Sequence, residues 1–117
     1  MNDGVYGAFN CLLFDHQERE PYVLSMSNSF SIPASPPSVS SSVWGPTCDS
    51  IDCINKTTSL PIQLDVGDWL GWKTMGAYTV CAASGFNGFE VSQVVYTSGV
   101  AGAGVREVLR AYAEQKA

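Results

Sequence analysis

The apolar residues of this chain come in short runs, broken at close intervals by glycine, proline, asparagine and aspartate, and that rhythm limits what it can fold into. Residues 5–14 (VYGAFNCLLF) are aromatic and aliphatic without proline, and they read as a buried strand. Residues 21–24 form a shorter run after the polar turn HQERE, and residues 43–47 follow an extended path. Residues 62–64 and 69–72 flank Asp65-Val66-Gly67-Asp68, a strand–turn–strand signature with Gly67 free to take a positive φ. Residues 77–83 and 90–97 read as two more strands around the turn SGFNG. Six or more short strands with turn signals between them predict a mainly β fold, a small barrel or sandwich. Residues 25–42 carry nine serines and three prolines and read as a flexible surface loop.

The last segment changes period. Val105, Val108, Leu109 and Tyr112 are spaced i, i+3, i+4 and i+7, which predicts a short amphipathic helix over 105–116. The glycines of 99–104 read as a hinge, because a phosphate loop would need a following lysine or a Rossmann spacing that is not there.

A chain of 117 residues makes one domain, 1–117. Its net charge of −5, with no basic cluster, excludes nucleic acid and anionic membrane as partners. No apolar run approaches the ~20 residues that span a bilayer. The start MNDGVYG lacks the basic region of a signal peptide, so the expected location is cytoplasmic. There the four cysteines, Cys11, Cys48, Cys53 and Cys81, would stay reduced. No metal is expected: four residues separate Cys48 from Cys53, no second pair follows, and His16 is the only histidine. Cys11 and Cys81 read as small core residues within strands. Trp69 and Trp72 should face opposite ways, one of them into the core. The sequon Asn55-Lys56-Thr57 means little without secretion.

The chemistry centres on SSVWGPTCDS, residues 41–50, where the Gly45-Pro46 bend presents Cys48 beside Asp49. The neighbouring carboxylate disfavours a thiolate, so Cys48 suits proton donation better than nucleophilic attack. His16, next to Asp15, reads either as a nearby base or cation, or as a structural turn residue. No nucleophile–base–orienter set is visible around the Cys48-Asp49 pair. Tyr6 and Tyr78 read either as core aromatics with hydroxyls at the rim or as ligand groups, and Trp44, flanking the Gly45-Pro46 bend, is a further aromatic candidate for a substrate pocket.

Three segments together, NDGVYGAFNCLLFDH (2–16), WGPTCDSID (44–52) and DVGDWLGWKTMGAYTVCAASGFNGF (65–89), resemble the C-terminal β-domain of eukaryotic ornithine decarboxylases, whose architecture antizyme inhibitors share. The resemblance implies an active site between one subunit's pyridoxal-phosphate-bearing (β/α)8 barrel and its partner's β-domain. Cys48 matches the cysteine that handles the proton at the substrate α-carbon. Asp49 and Asp15 match the carboxylates that hold the distal amine, Tyr78 a tyrosine against the cofactor phosphate, and Phe86 an aromatic near the interface. Phe14 stands where many members carry tyrosine, and Cys53 where a basic residue is common. The barrel has no counterpart in this sequence, nor do the N-terminal strands that complete the β-domain in the full enzymes.

A Schiff-base cofactor needs a lysine in a prepared setting, and Lys56, Lys73 and Lys116 lie in no such motif, so no cofactor is expected on this chain. Two functions follow as expectations. One is a cofactor-independent acid/base enzyme whose proton transfer drives a cyclisation, isomerisation or elimination. The other is a non-catalytic homologue or split subunit that pairs with a full-length ornithine-decarboxylase-type barrel in polyamine biosynthesis, the Cys-Asp pair then being a relic or a loan. The expected partners are a second copy of the chain or such a barrel protein, with a small molecule as substrate.

Overall fold

The run of residues 53–61, CINKTTSLP, whose β-branched and aliphatic members are Ile54, Thr57, Thr58 and Leu60, organises the larger sheet after an acidic loop. The computed structural model describes residues 1–96; the helix expected over 105–116, the hinge at 99–104 and Lys116 lie outside them. In chain order the elements are α1 (Cys11–Phe14), β1 (Tyr22–Ser25), β2 (Ser38–Trp44), β3 (Cys53–Pro61) and β4 (Trp69–Gly71), followed by 3-10 turns at Val80–Ala82 and Phe86–Gly88. β2 and β3 pair antiparallel from Ser38 opposite Pro61 to Trp44 opposite Cys53, with irregularities around Val43. β1 and β4 form a second antiparallel pair, with Tyr22 opposite Gly71 and Ser25 opposite Trp69. The fold is mainly sheet, as expected, but the described strands make two separate two-stranded sheets and close no barrel.

Phe9, Val43 and Ile54 form the core, with Leu12, Leu60, Trp72 and Met75 packed against it. Trp72 meets Phe9 edge-on at 4.9 Å, while Trp69 on β4 is exposed, so the two tryptophans divide as expected. Gly67 takes φ +100° in the 65–68 turn, where Asp68 accepts hydrogen bonds from the Asp65 and Ser27 N–H groups.

Five expectations are corrected. Residues 62–64 are not a strand but a turn that follows β3, in which Leu64 N donates to Pro61 O. Residues 5–14 are not a strand but turns leading into α1. Gly4 O accepts from the Gly7 and Phe9 N–H groups, and the Asp3 carboxylate accepts from those of Gly4 and Ala8. These local bonds divert backbone that a ladder would have used. The serine-rich loop ends at Pro37, because β2 begins at Ser38. Its pairing with β3 outweighs composition, and the hydroxyls of Ser38 and Ser41 turn back onto local carbonyls. Residues 77–83 hold a 3-10 turn instead of a strand, which leaves Cys81 exposed, whereas Cys11 is buried as expected. Residues 90–96 form no regular element and are exposed; no neighbouring described strand offers them a ladder, and Thr97 lies outside the described residues. Asn55 is 8% exposed and its amide donates to Arg19 O, so the sequon is spent on structure.

Candidate functional site

The loop of residues 45–52 joins β2 to β3 and is closed by backbone bonds from Gly45 N to Asp52 O (2.8 Å) and from Asp52 N to Asp49 O (3.0 Å). Its organiser is Asp52, a carboxylate with 0% exposure. Oδ1 accepts from Val5 N (2.9 Å), and Oδ2 accepts from Thr47 N (2.9 Å) and Thr47 Oγ1 (2.6 Å). Three donors without a cation are how a buried carboxylate is tolerated: each charge-assisted bond replaces part of the lost hydration. The two segments approach closely at Gly4 and Gly45, where a Cβ would run into the Asp52 carboxylate. Sequence reasoning missed Asp52. The available signal was an acid between Ile51 and Cys53, next to a run that becomes the longest described strand.

With the loop so fixed, Cys48 stands exposed at its tip and Asp49 turns back toward the N-terminal turn. Tyr6 donates its hydroxyl to Asp49 Oδ2 at 2.5 Å, and Ile51 N donates to Oδ1 at 3.0 Å. Those bonds, Tyr6 first, hold the Asp49 carboxyl below the usual carboxylate range. The Tyr6 phenol is pushed up to about 12, chiefly by its bond to Asp49, then by desolvation and the charges of Asp49 and Asp52. Phe86 stacks on the Tyr6 ring at 4.0 Å between centroids. Tyr6 is thus a support for Asp49, with Phe86 behind it. The void beside Tyr6, Thr47, Asp52 and Phe86 measures about 20 Å³.

The other candidates gather elsewhere. Asp15, the residue that ends α1, and Tyr78 line an open cleft of about 450 Å³ with Arg19, Thr74, Met75 and Thr79, and neither Cys48 nor Asp49 reaches it. Tyr78 is 73% exposed on a left-handed backbone (φ 56°), an unusual state for a bulky residue. The buried Asn10 side chain anchors the neighbouring peptide by donating to Thr79 O and Gly7 O. His16 is exposed on a left-handed backbone (φ 53°) and lines neither the void nor the cleft. Phe14 and Trp44 are exposed, with the Trp44 Nε1 donating to Ser42 Oγ, and neither lines the void or the cleft. The structure therefore joins Tyr6, Cys48, Asp49 and Phe86 in one place and Asp15 with Tyr78 in another. Among the described residues, no group of three or more histidines, cysteines, aspartates or glutamates converges as a metal site. Lys56 is exposed on β3 and Lys73 stands over the Tyr22 ring at 5.8 Å; neither lines the void or the cleft. The lysines described here do not fit a pyridoxal-phosphate cradle.

These features define a small sheet domain that presents thiol, carboxylate and phenol groups on open surfaces. The chain belongs to the pyridoxal-dependent decarboxylase family, of which residues 1–76 match the C-terminal sheet domain. It is 48% identical over 98 residues to an ornithine decarboxylase of Schizosaccharomyces pombe, covering 82% of this chain and 23% of that one. It is 49% identical over 96 residues to antizyme inhibitor 2 of Xenopus laevis, covering 82% and 20%. A lysine/ornithine decarboxylase from Vibrio vulnificus, solved with cadaverine, superposes with a TM-score of 0.68 at 34% identity, covering 82% of this chain and 24% of that one. The chain spans less than a quarter of the length of these relatives.

Proposed function

We propose that this chain is the sheet-domain side of a decarboxylase-type active site, presenting Cys48, Asp49, Asp15 and Tyr78 to a cofactor-bearing barrel on the same polypeptide or on another. One observation carries the reading: the hydrogen-bonded Tyr6–Asp49 pair has no ligand-sized pocket beside it. The space beside Tyr6 and Asp49, about 20 Å³, holds about one water molecule, whereas small-molecule sites need roughly 300–1,000 Å³. Cys48 and Tyr78 point outward, where a second surface would enclose them. Pyridoxal phosphate, held by the barrel, supplies the electron sink for amino-acid decarboxylation. This chain's residues supply a proton at the thiol of Cys48 and a carboxylate, Asp49, oriented by Tyr6. The substrate class carried over from the relatives is a basic amino acid, and the four free thiols fit a reducing, cytoplasmic setting. A second reading, a cofactor-free acid/base enzyme, draws on the Asp15–Tyr78 cleft, which is large enough for a ligand.

Alkylation of Cys48, followed by mass spectrometry with and without a purified barrel of an ornithine-decarboxylase-type protein, tests the proposal. Protection of Cys48 with continued labelling of exposed Cys81 is the expected result. Equal labelling of Cys48 in both samples contradicts it.

A further inference from the structure

We propose that Ser35 is a phosphorylation site for a proline-directed protein kinase. The serine-rich segment of 25–42 has no part in the proposed function, and Ser35-Pro36 is the single Ser-Pro or Thr-Pro pair in the chain. No charged residue stands between Glu20 and Asp49, so a kinase that chooses its serine by flanking acids or bases finds none to read here. Proline offers a different signal, because it has no N–H. A kinase surface that covers the residue after the reacting serine, and offers no acceptor of its own, admits proline and penalises other residues with an unmet donor.

The structure separates Ser35 from the other serines of the segment. Ser25 is buried, and those of 38–42 lie in β2, committed to the ladder with β3. Ser29 closes a turn with Met26 through backbone bonds of 2.9 and 3.0 Å, and its Oγ accepts from Ser31 N at 3.1 Å. Ser27 sits inside that turn on a left-handed backbone (φ 52°), its N–H held by Asp68. Ser35 is exposed, belongs to no strand, and among the described residues its hydroxyl has no hydrogen-bond partner.

Its stretch of chain is tied at both ends and open between them. The Met26–Ser29 turn holds one end, and Ile62 N donates to Pro37 O at 2.9 Å at the other. Among the described residues, 32–36 carry no backbone–backbone hydrogen bond, so drawing them into a kinase cleft breaks none.

In the reaction Ser35 Oγ attacks the γ-phosphorus of magnesium-bound ATP. A new O–P bond forms, the bond from that phosphorus to the β–γ bridging oxygen breaks, the hydroxyl proton passes to the kinase's catalytic carboxylate, and ADP leaves. The phosphate adds a charge of about −1.5 to −2. Because Ser35 Oγ holds nothing in place, phosphorylation changes the surface charge and leaves the β2–β3 sheet as it is.

The test incubates the full chain with magnesium ATP and a purified proline-directed serine/threonine kinase, with an acid-directed and a base-directed kinase in parallel. Intact mass counts the phosphates and fragmentation places them. The expected result is one phosphate, on Ser35, from the first kinase alone, with thermal unfolding of the product unchanged. Ser35→Ala should abolish it. Pro36→Ala keeps the hydroxyl and should slow the reaction about tenfold or more, the effect of one buried N–H left without a partner. A synthetic peptide of residues 28–41 supplies the rate of a fully open segment, which the folded chain should match. Phosphate at another residue, or its persistence in Ser35→Ala, overturns the assignment. So does a folded chain modified far more slowly than the peptide, or a product with lowered thermal stability. Equal rates with Pro36→Ala, or modification of Ser35 by either charge-directed kinase, overturn the proline-directed class.

Discussion

Replacing Asp52 should cost more stability than replacing any other acid in the described chain, although it touches no solvent. Asp52→Ala strands the Val5 and Thr47 N–H groups, which point at the vacated space from backbone that cannot turn away. Each unmade buried donor costs about 1–3 kcal/mol, while the Thr47 hydroxyl, nearer the surface, can find water. The loss is therefore about 2–6 kcal/mol for the two donors, a large share of the ~5–15 kcal/mol typical of a domain. An opposing effect exists, because removing a buried charge also removes its desolvation cost. Asp52→Asn separates the two: it is neutral, keeps one oxygen for Val5, and sets an NH2 against the Thr47 N–H. If unmet donors dominate, Asp52→Asn loses about 1–3 kcal/mol; if desolvation dominates, it gains. Urea unfolding at neutral pH, followed by the fluorescence of Trp44, Trp69 and Trp72, reads both variants. A loss below about 1 kcal/mol for Asp52→Ala, or a gain for Asp52→Asn, refutes the reasoning.

Gly45→Ala should destabilise by about 1–3 kcal/mol in the same assay, because its Cβ collides with the Asp52 carboxylate. In an alkaline absorbance titration Tyr6 should ionise near 12, and Tyr6→Phe should delete that late step. Because its folded value is raised, its contribution to stability is complete below its ordinary value of 10.0 and is lost as pH rises toward 12. Asp49 has the opposite sign: its contribution is complete above 3.8 and is lost as pH falls through its lowered folded value, so Asp49→Asn should flatten the acid limb of the stability curve. At the left-handed position 78, Tyr78→Gly should be more stable than Tyr78→Ala by about 1 kcal/mol, measured by thermal unfolding.

Periodicity found β1, the 65–68 turn and the β4 segment, since each pairs a short apolar run with an unambiguous turn residue. It missed β3, although Ile54, Thr57 and Thr58 are β-formers, because Asn55, Lys56 and Ser59 interrupt its apolar pattern. It overcalled residues 5–14, where Gly4 O and the Asp3 carboxylate take the N–H groups of Gly7, Ala8 and Phe9 and the distant Asp52, 47 positions from Val5, takes that of Val5. In the site, the motif WGPTCDSID pointed to Cys48 and Asp49, and the structure adds Tyr6 as the partner of Asp49. Nothing in the spacing of Asp15 and Tyr78 indicated that they would share a cleft with each other and not with Cys48. That division depends on how the end of α1 and the segment before the 3-10 turn at Val80–Ala82 come together, a tertiary fact.

On the proposed function, Cys48 and Asp49 act once a second surface covers them. The direct measurement mixes this chain with a cofactor-loaded ornithine-decarboxylase-type protein whose own sheet-domain cysteine and adjacent aspartate have been replaced, and follows carbon dioxide release from ornithine. Turnover should appear on mixing, and Cys48→Ala should lower it by about 10²–10⁴-fold, the span of a positioned proton donor. No turnover on mixing, or the same turnover with Cys48→Ala, would contradict that function.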